Sequence, residues 1–132
     1  MAGPRFSLEN QSGYDTDDLR RFFAAGLQAQ GITKHLRIRV TASPIRSRGC
    51  ATVGGHSLRI AIAPPSRFSL RRLARLFEHE CAHAVGLEHS AMPERVLYSL
   101  GPVPRWAQHA TIRYRRRAPD QVRLLRYGDT RA

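Results

Sequence analysis

The sequence predicts an α+β fold in which a small mixed β-sheet of about three to four strands carries a backing helix and a second, functional helix. Three short segments alternate apolar and polar residues with a period of two, as half-buried strands do. Two longer segments repeat apolar residues at helical spacing. With 132 residues and 42% apolar residues, the chain has room for one packed core.

The first half of the chain contains two predicted strands and the backing helix. Alternation over 5–9 predicts a short strand. A helix then begins at Asp15 or Thr16, whose side chains can cap it, and Gly31 can end it. Aliphatic residues alternate with arginine and threonine over 36–41, which predicts a second strand with one buried and one solvated face.

The second half begins with a loop and leads into the second helix. The segment 43–57 is rich in Gly, Ser, Arg and Pro, so it is predicted to be irregular. A third alternating strand over 58–63 is stopped by a proline pair. Ser66 or Ser69 can cap a helix that runs to about Val85, and the chain beyond the motif at its end is predicted to be irregular. Three arginines of this helix are predicted to point to solvent: Arg71, Arg72 and Arg75.

The charge of the chain is strongly positive, with 22 basic residues against 10 acidic ones and a formal net charge of +12. Every basic residue except Lys34 is an arginine. Such a surface attracts phosphate backbones, acidic polypeptides or anionic membranes, or it only decorates a solvated surface. The sequence contains neither a signal peptide nor an apolar run of membrane-spanning length, which predicts a cytoplasmic protein. Two cysteines, Cys50 and Cys81, do not make a disulfide framework.

The end of the second helix carries a motif with the spacing of a metal site. It reads HECAHAVGLEH over 79–89. Because residues four apart share one helical face, His79 and His83 can aim their imidazoles at one point. Gly86 can take a positive φ and turn the chain, so that His89 returns toward the same point. Three neutral imidazoles suit Zn²⁺, although they accept other divalent transition metals as well.

Glu80 gives this motif a catalytic interpretation. Three protein ligands leave a fourth position on zinc for water, which is typical of a catalytic site. Glu80 follows the first ligand and is placed to take a proton from that water, whose pKa the metal lowers, and to pass it to a leaving amine. The motif therefore predicts a zinc-dependent hydrolase. The remaining histidines are isolated in sequence and are predicted to be ordinary structural or surface residues: His35, His56 and His109.

The motif resembles the H-E-x-x-H-x-x-G-x-x-H signature of the metzincin zinc peptidases. The segment 89–98 resembles the matrixin stretch that runs from the third ligand into the Met-turn. The segment 54–64 resembles the matrixin edge strand that pairs with an extended substrate. The resemblance implies a minimal metzincin-like or zincin-like fold, a metalloendopeptidase that acts on polypeptides, and a substrate-binding strand that includes Leu58 and Ile60.

The chain departs from the family at the Met-turn. The family's methionine aligns with Leu97, and leucine can provide an apolar floor of similar volume beneath the metal. Met92 follows the last ligand too closely to align with that methionine. The neighbouring Tyr98 can donate a hydrogen bond to an oxyanion, as in some members, or can be a core residue. Cys50 lacks the flanking pattern of a cysteine switch, which fits an intracellular relative better than a secreted one.

The C-terminal segment is rich in arginine. From Arg105 onward, arginines alternate with aromatic residues that include Trp106, Tyr114 and Tyr127. Such a segment suits phosphate contacts and base stacking in nucleic-acid binding, or it packs on the core with its arginines solvated. The chain is thus predicted to comprise a zincin-like catalytic domain, 1–104, and a basic segment, 105–132, that packs on that domain or extends from it.

Three other functions remain compatible with the sequence. The bacterial endoribonucleases of rRNA maturation are similar in size and carry H-x-x-x-H-x-x-G-x-x-H, and a basic surface would suit them. Their pattern typically has glycine after the first histidine, where this chain has Glu80, whose carboxylate would repel a phosphate group. The second alternative is a peptidase that is recruited to nucleic acid, as the SprT-like proteases are. The third is a non-catalytic, zinc-stabilised nucleic-acid-binding module.

Overall fold

The computed structural model describes residues 5–115 and the backbone of 122–126. The main sheet contains β1 (Phe6–Asn10), β2 (Leu36–Ala42), β3 (Arg48–Ala51) and β4 (Ser57–Ile62), and a second sheet contains β5 (Thr111–Arg115) and β6 (Val122–Arg126). The helices are α1 (Thr16–Ala29), α2 (Leu70–Ala84) and α3 (Glu94–Leu97), with 3₁₀ turns at Pro65–Arg67, His89–Ala91 and Arg105–Ala107. The predicted α+β class, with a mixed sheet of four strands, is confirmed.

The main sheet has the strand order β1-β2-β4-β3, which corrects two predictions. Strands β1, β2 and β4 are parallel, and β3 pairs antiparallel with β4. Strand β3 lies within 43–57, the segment predicted to be irregular. Because β4 pairs with β2 on one side and β3 on the other, the prediction that 54–64 is an edge strand is wrong. The edge next to β4 is β3.

The core lies between one face of the main sheet and the two long helices. Aliphatic residues that alternate along β2 and β4 are buried in one cluster with the apolar stripes of α1 and α2. Gly26 of α1 approaches α2 so closely that a Cβ there would lie 2.8 Å from the Phe77 ring. Residues beyond the predicted catalytic domain also join this cluster, since Ala107 and Ile112 are fully buried in it. The part after α2, predicted to be irregular, therefore contains α3, β5 and β6 as ordered elements.

The helix boundaries follow the capping residues in the sequence. Of the two predicted caps of α1, the structure uses Asp15, whose side chain accepts from the Asp18 backbone N–H. Ser69 caps α2 in the same way. Gly31 follows α1 with φ +68°, a conformation that suits glycine. Within the described part of the chain, no helix is long and apolar enough to cross a membrane.

Arg75 was predicted to point to solvent, and this prediction is wrong. The residue is only 7% exposed. Its guanidinium pairs with Glu78 at 2.8 Å and donates to the Pro102 carbonyl at 3.0 Å. Trp106 donates its indole N–H to the other oxygen of Glu78 at 3.0 Å. These contacts fasten the stretch after α3 to the polar side of α2, and burial is tolerated because each charged group has a partner.

Asp18 links α1 to β5, and we expect Asp18→Asn to destabilise the fold. The buried carboxylate accepts from the backbone N–H and the Nε of Arg113, each at 2.9 Å. Burial alone would raise the pKa of Asp18, but the hydrogen bonds and charge of Arg113 lower it below its ordinary value. The substitution should cost about 2 kcal/mol at neutral pH, the range for hydrogen bonds to charged groups.

The loss of stability in Asp18→Asn should depend on pH. A lowered folded-state pKa stabilises the protein above the unfolded-state pKa of about 3.9, and this contribution disappears as the pH falls through the folded-state pKa. The wild type should therefore melt at a higher temperature than Asp18→Asn at pH 7. This difference in melting temperature should decrease as the pH falls below about 4. Asp17→Asn is the control, since Asp17 forms an exposed pair with Arg20. A difference in melting temperature that does not change with pH would contradict the stabilising role of the Asp18 carboxylate.

Candidate metal centre

The C-terminal end of α2 is built as a sharp turn around glycine. The Gly86 N–H donates to the His83 carbonyl, and the Leu87 N–H donates to the Ala82 carbonyl, both at 2.9 Å. This pair of bonds is a Schellman motif, which requires a left-handed residue after the helix. Gly86 supplies it with φ +106°, as predicted. The chain therefore reverses and carries His89 back toward the helix.

Three imidazoles converge beside this turn. One ring nitrogen from each of His79, His83 and His89 lies within 4.8 Å of the others. The Nε2 atoms of His83 and His89 are 3.1 Å apart. Two nitrogens that share a tetrahedral zinc at roughly 2.0–2.1 Å each lie about 3.3 Å apart, so this spacing is close to that of two ligands. The predicted ligands are thus brought together, and they could hold a metal ion.

Backbone carbonyls orient two of the rings. His79 Nδ1 lies 3.0 Å from the Val96 carbonyl of α3, and His83 Nδ1 lies 2.9 Å from the Leu87 carbonyl. A carbonyl oxygen only accepts, so each Nδ1 must carry the proton. The neutral ring then presents the unprotonated Nε2, which is the form that ligates a metal. The turn after α2 and the helix α3 therefore fix both the direction and the tautomer of the ligands.

Glu80 lies on the buried side of α2, next to these ligands, and is only 4% exposed. Burial raises the pKa of its carboxyl, while His83 and His89 act in the opposite direction. Among the described residues it makes no hydrogen bond or ion pair, unlike Glu78, which lies two residues earlier on the other side of α2. Burial of most of the side chain partly desolvates this carboxylate, and carboxylates with a raised pKa concentrate at functional sites.

Gly49 of β3 provides the space that the Glu80 side chain occupies. A Cβ built on Gly49 would lie 2.7 Å from Cγ and 2.9 Å from Oε2 of Glu80. Both distances are too short for non-bonded atoms. The strand that borders the sheet and the helix that carries the histidines therefore meet at a glycine, directly at the carboxylate.

Lys34 and the turn before β4 hold the end of α2 in place. The Lys34 ammonium donates to the Ala84 and Gly54 carbonyls, each at 2.9 Å. The Gly54 N–H donates to the His83 carbonyl at 2.8 Å. A positive charge at the C-terminal end of a helix is also favoured by the helix dipole. The only lysine of the chain thus supports the helix end that carries the ligands.

The remaining predicted site residues lie in different environments. Leu58 and Ile60 are core residues of β4, and because β4 is already paired with β2 and β3, the main chain along them offers no free edge to a substrate strand. Tyr98 is 62% exposed and is not a core residue. Leu97 ends α3 and is partly buried, whereas Met92 is buried. The histidines outside the cluster are exposed: His35, His56 and His109.

The cysteines take no part in the cluster. Cys81 is buried on α2 and Cys50 is exposed on β3, and both are free thiols. Burial raises the pKa of the Cys81 thiol, which keeps it protonated and unreactive at neutral pH. The interpretation of Cys81 as a small core residue agrees with this placement.

Comparison of the chain with protein-family models, with curated proteins and with solved structures finds no match. The geometry of the molecule itself therefore establishes an α+β protein in which three neighbouring histidines could hold a metal ion.

Proposed function

We propose that this protein is a zinc-dependent hydrolase, and specifically a metalloendopeptidase of the metzincin type. The observation that carries the proposal is the placement of Glu80, a mostly buried side chain without a hydrogen-bond partner among the described residues, beside three converging imidazoles. A structural metal site requires only its ligands, whereas a hydrolytic site also requires a general base next to the metal, and Glu80 is placed to be that base. The resemblance of 79–89 to the metzincin signature agrees with this role.

The donor set fits zinc. Three neutral imidazoles with their Nδ1 protons held by carbonyls are ligands that Zn²⁺ accepts, and three rather than four ligands leave a position for a substrate or water. Zinc bound there would act as a Lewis acid and lower the pKa of a water molecule to about 7. His79, His83 and His89 would hold the ion, and their carbonyl partners would keep the ring nitrogens aimed at it.

Glu80 supplies the proton transfers. Burial makes its carboxylate a stronger base than an exposed glutamate, because the desolvated charge gains more from a proton. The carboxylate accepts a proton from the attacking water and then donates it to the leaving amine of the peptide. Tyr98 is exposed near the end of α3 and remains a candidate donor to the oxyanion, the role that the resemblance implies.

Strand β3 is the place at which a polypeptide substrate would bind. It is the edge of the main sheet, and its Gly49 contacts Glu80 directly. An extended peptide can add to such an edge through main-chain hydrogen bonds, which give affinity without demanding particular side chains. The role that the resemblance assigned to 54–64 is therefore transferred to 48–51.

The test compares wild-type protein with Glu80→Gln after both are loaded with zinc. Each is incubated with an unfolded protein and with a structured RNA, and His109→Ala serves as the control because His109 is exposed. We expect the wild type and the control to cleave the polypeptide, and Glu80→Gln to lose about 10²-fold or more of that rate while it retains the metal. RNA cleavage instead of peptide cleavage would favour the rRNA-maturation endoribonucleases. No cleavage of either would favour a zinc-stabilised binding module.

A further inference from the structure

The side of the main sheet opposite the helices carries a set of exposed arginines. Alternation along the strands places Arg37 and Arg39 of β2, Arg59 of β4 and Arg48 of β3 on this side, while their neighbours face the core. All four are exposed. We call these four residues the arginine face.

The strand register places three residues of the arginine face, Arg37, Arg59 and Arg48, on one diagonal across the sheet, with Arg39 beside Arg59. Arg59 is the direct neighbour of Arg39, and Arg37 and Arg48 lie one strand away from Arg59 and two residues along, on opposite sides. With strands about 4.8 Å apart and about 3.3 Å per residue, each diagonal step is about 8 Å at the Cα atoms. Arg37, Arg59 and Arg48 therefore form a straight diagonal row of evenly spaced charges.

These charges are poorly neutralised by the residues that the structure describes. Arg39 pairs with Glu9 of β1. The guanidiniums of Arg37, Arg48 and Arg59 form no ion pair with the residues in the described part of the chain. Like charges on neighbouring strands repel one another, and at a spacing of about 8 Å physiological salt screens them only in part. A bound polyanion would remove this repulsion.

We propose that the arginine face binds the phosphodiester backbone of nucleic acid. Guanidinium groups bind phosphate with two parallel hydrogen bonds, and an evenly spaced row matches a ligand whose charge repeats along its length. A shallow depression of about 460 Å³ is lined by Ser7, Ser57, Arg37, Arg59 and the paired Arg39 and Glu9. It gives a phosphate group room to approach the arginine stems, with serine hydroxyls beside it.

The composition of this face favours nucleic acid over an acidic protein. Protein interfaces depend on buried apolar or aromatic anchors. Around its arginines, this face offers small or polar residues, namely Ser7, Ser57, Thr41 and Ala61, and the carboxylate of Glu9 is paired with Arg39. Charge is then the source of affinity, as it is in sequence-independent binding to a phosphate backbone. Phe6, the aromatic residue of these four strands, packs against the core, so the strands place no aromatic ring on this face to stack on bases, and the face should not discriminate between sequences.

The arginine face is separate from the metal centre. The histidines lie at the end of α2, which packs on the other side of the sheet. A bound nucleic acid would leave the histidines and Glu80 accessible. The inference therefore stands whether or not the protein is a peptidase, and chelation of metal should not change nucleic-acid affinity.

The test measures binding of a short fluorescent DNA duplex of mixed sequence by anisotropy at several salt concentrations. The variant Arg37→Gln/Arg48→Gln/Arg59→Gln should bind at least about tenfold more weakly, and its slope of log K against log salt should fall by about 2–3, because each phosphate contact contributes about 0.9. A lysine version, Arg37→Lys/Arg48→Lys/Arg59→Lys, keeps the charge and should retain most of the slope. Single-stranded RNA of the same length shows whether duplex or single strand is preferred.

The matched control removes three exposed arginines elsewhere on the molecule: Arg67→Gln/Arg71→Gln/Arg95→Gln. It changes the net charge equally, so it should lose far less affinity if the arrangement matters rather than the total charge. Thermal melting verifies that each variant is folded. Equal losses in both triple variants, unchanged binding in the first, or no binding by the wild type would overturn the proposal. Displacement of DNA by polyglutamate at equal charge would instead identify an acidic polypeptide as the partner.

Discussion

Addition of zinc should raise the melting temperature of the wild-type protein by on the order of 10 °C and leave that of His83→Ala unchanged. A ligand that binds only the folded state stabilises it by RT ln(1 + [L]/Kd), which is about 2.7 kcal/mol when free zinc is 100 times its Kd. For a chain of this size, each kilocalorie per mole corresponds to a few degrees. His83 is the most informative ligand to remove, because its Nε2 lies 3.1 Å from that of His89.

The control for this measurement is His109→Ala, which removes an exposed histidine outside the cluster. It should respond to zinc as the wild type does. Metal content after dialysis provides the second readout: about one zinc per wild-type or control chain, and little in His83→Ala. An equal zinc response in His83→Ala would show that the ion binds elsewhere, and the catalytic proposal would then lose its basis.

The helices could be predicted from the sequence because their signals are local. Asp15 and Ser69 cap helices through bonds to residues three positions later, and an apolar stripe at helical spacing marks the buried side. The metal ligands belong to the same class of signal. His79 and His83 share a helical face, and Gly86 has the conformational freedom that the turn requires.

The features that sequence reasoning missed depend on contacts between distant residues. Strand β3 contains glycine and small residues and has little apolar alternation, so it becomes a strand only because β4 is available to pair with it. Arg75 is buried because Glu78 and the Pro102 carbonyl satisfy its guanidinium. Neither partner's position could be inferred from the spacing of apolar residues.

The metal centre shows the same division between local and distant effects. The identity of the ligands follows from a short motif. The carbonyls that orient them do not, because Val96 reaches His79 only through the packing of α3 on α2. The role of Gly49 was hidden as well, since a glycine in a segment rich in Gly and Ser is read as part of a loop. Its contact with Glu80 becomes visible only when β3 lies beside α2.

Gly49→Ala should reduce hydrolysis by about 10²-fold or more without loss of zinc, because it displaces the proposed base rather than a ligand. The new methyl group would overlap with Cγ and Oε2 of Glu80. Since α2 is fixed by its packed face, the strain is relieved by a rotation of the Glu80 side chain away from β3. Cys50→Ala is the control on the same strand, because Cys50 is exposed on the other face and its truncation leaves Glu80 in place.

A thermodynamic cycle separates this effect from general damage to β3, and it needs no substrate. Overpacking by one methyl group typically costs about 1–3 kcal/mol, so Gly49→Ala should lower the melting temperature in the wild-type background. In Glu80→Ala the colliding atoms are absent, and the same substitution should then cost little. This non-additivity measures the contact directly. If Gly49→Ala is equally destabilising in both backgrounds, the glycine is required by the strand itself, and Glu80 must be held by other groups.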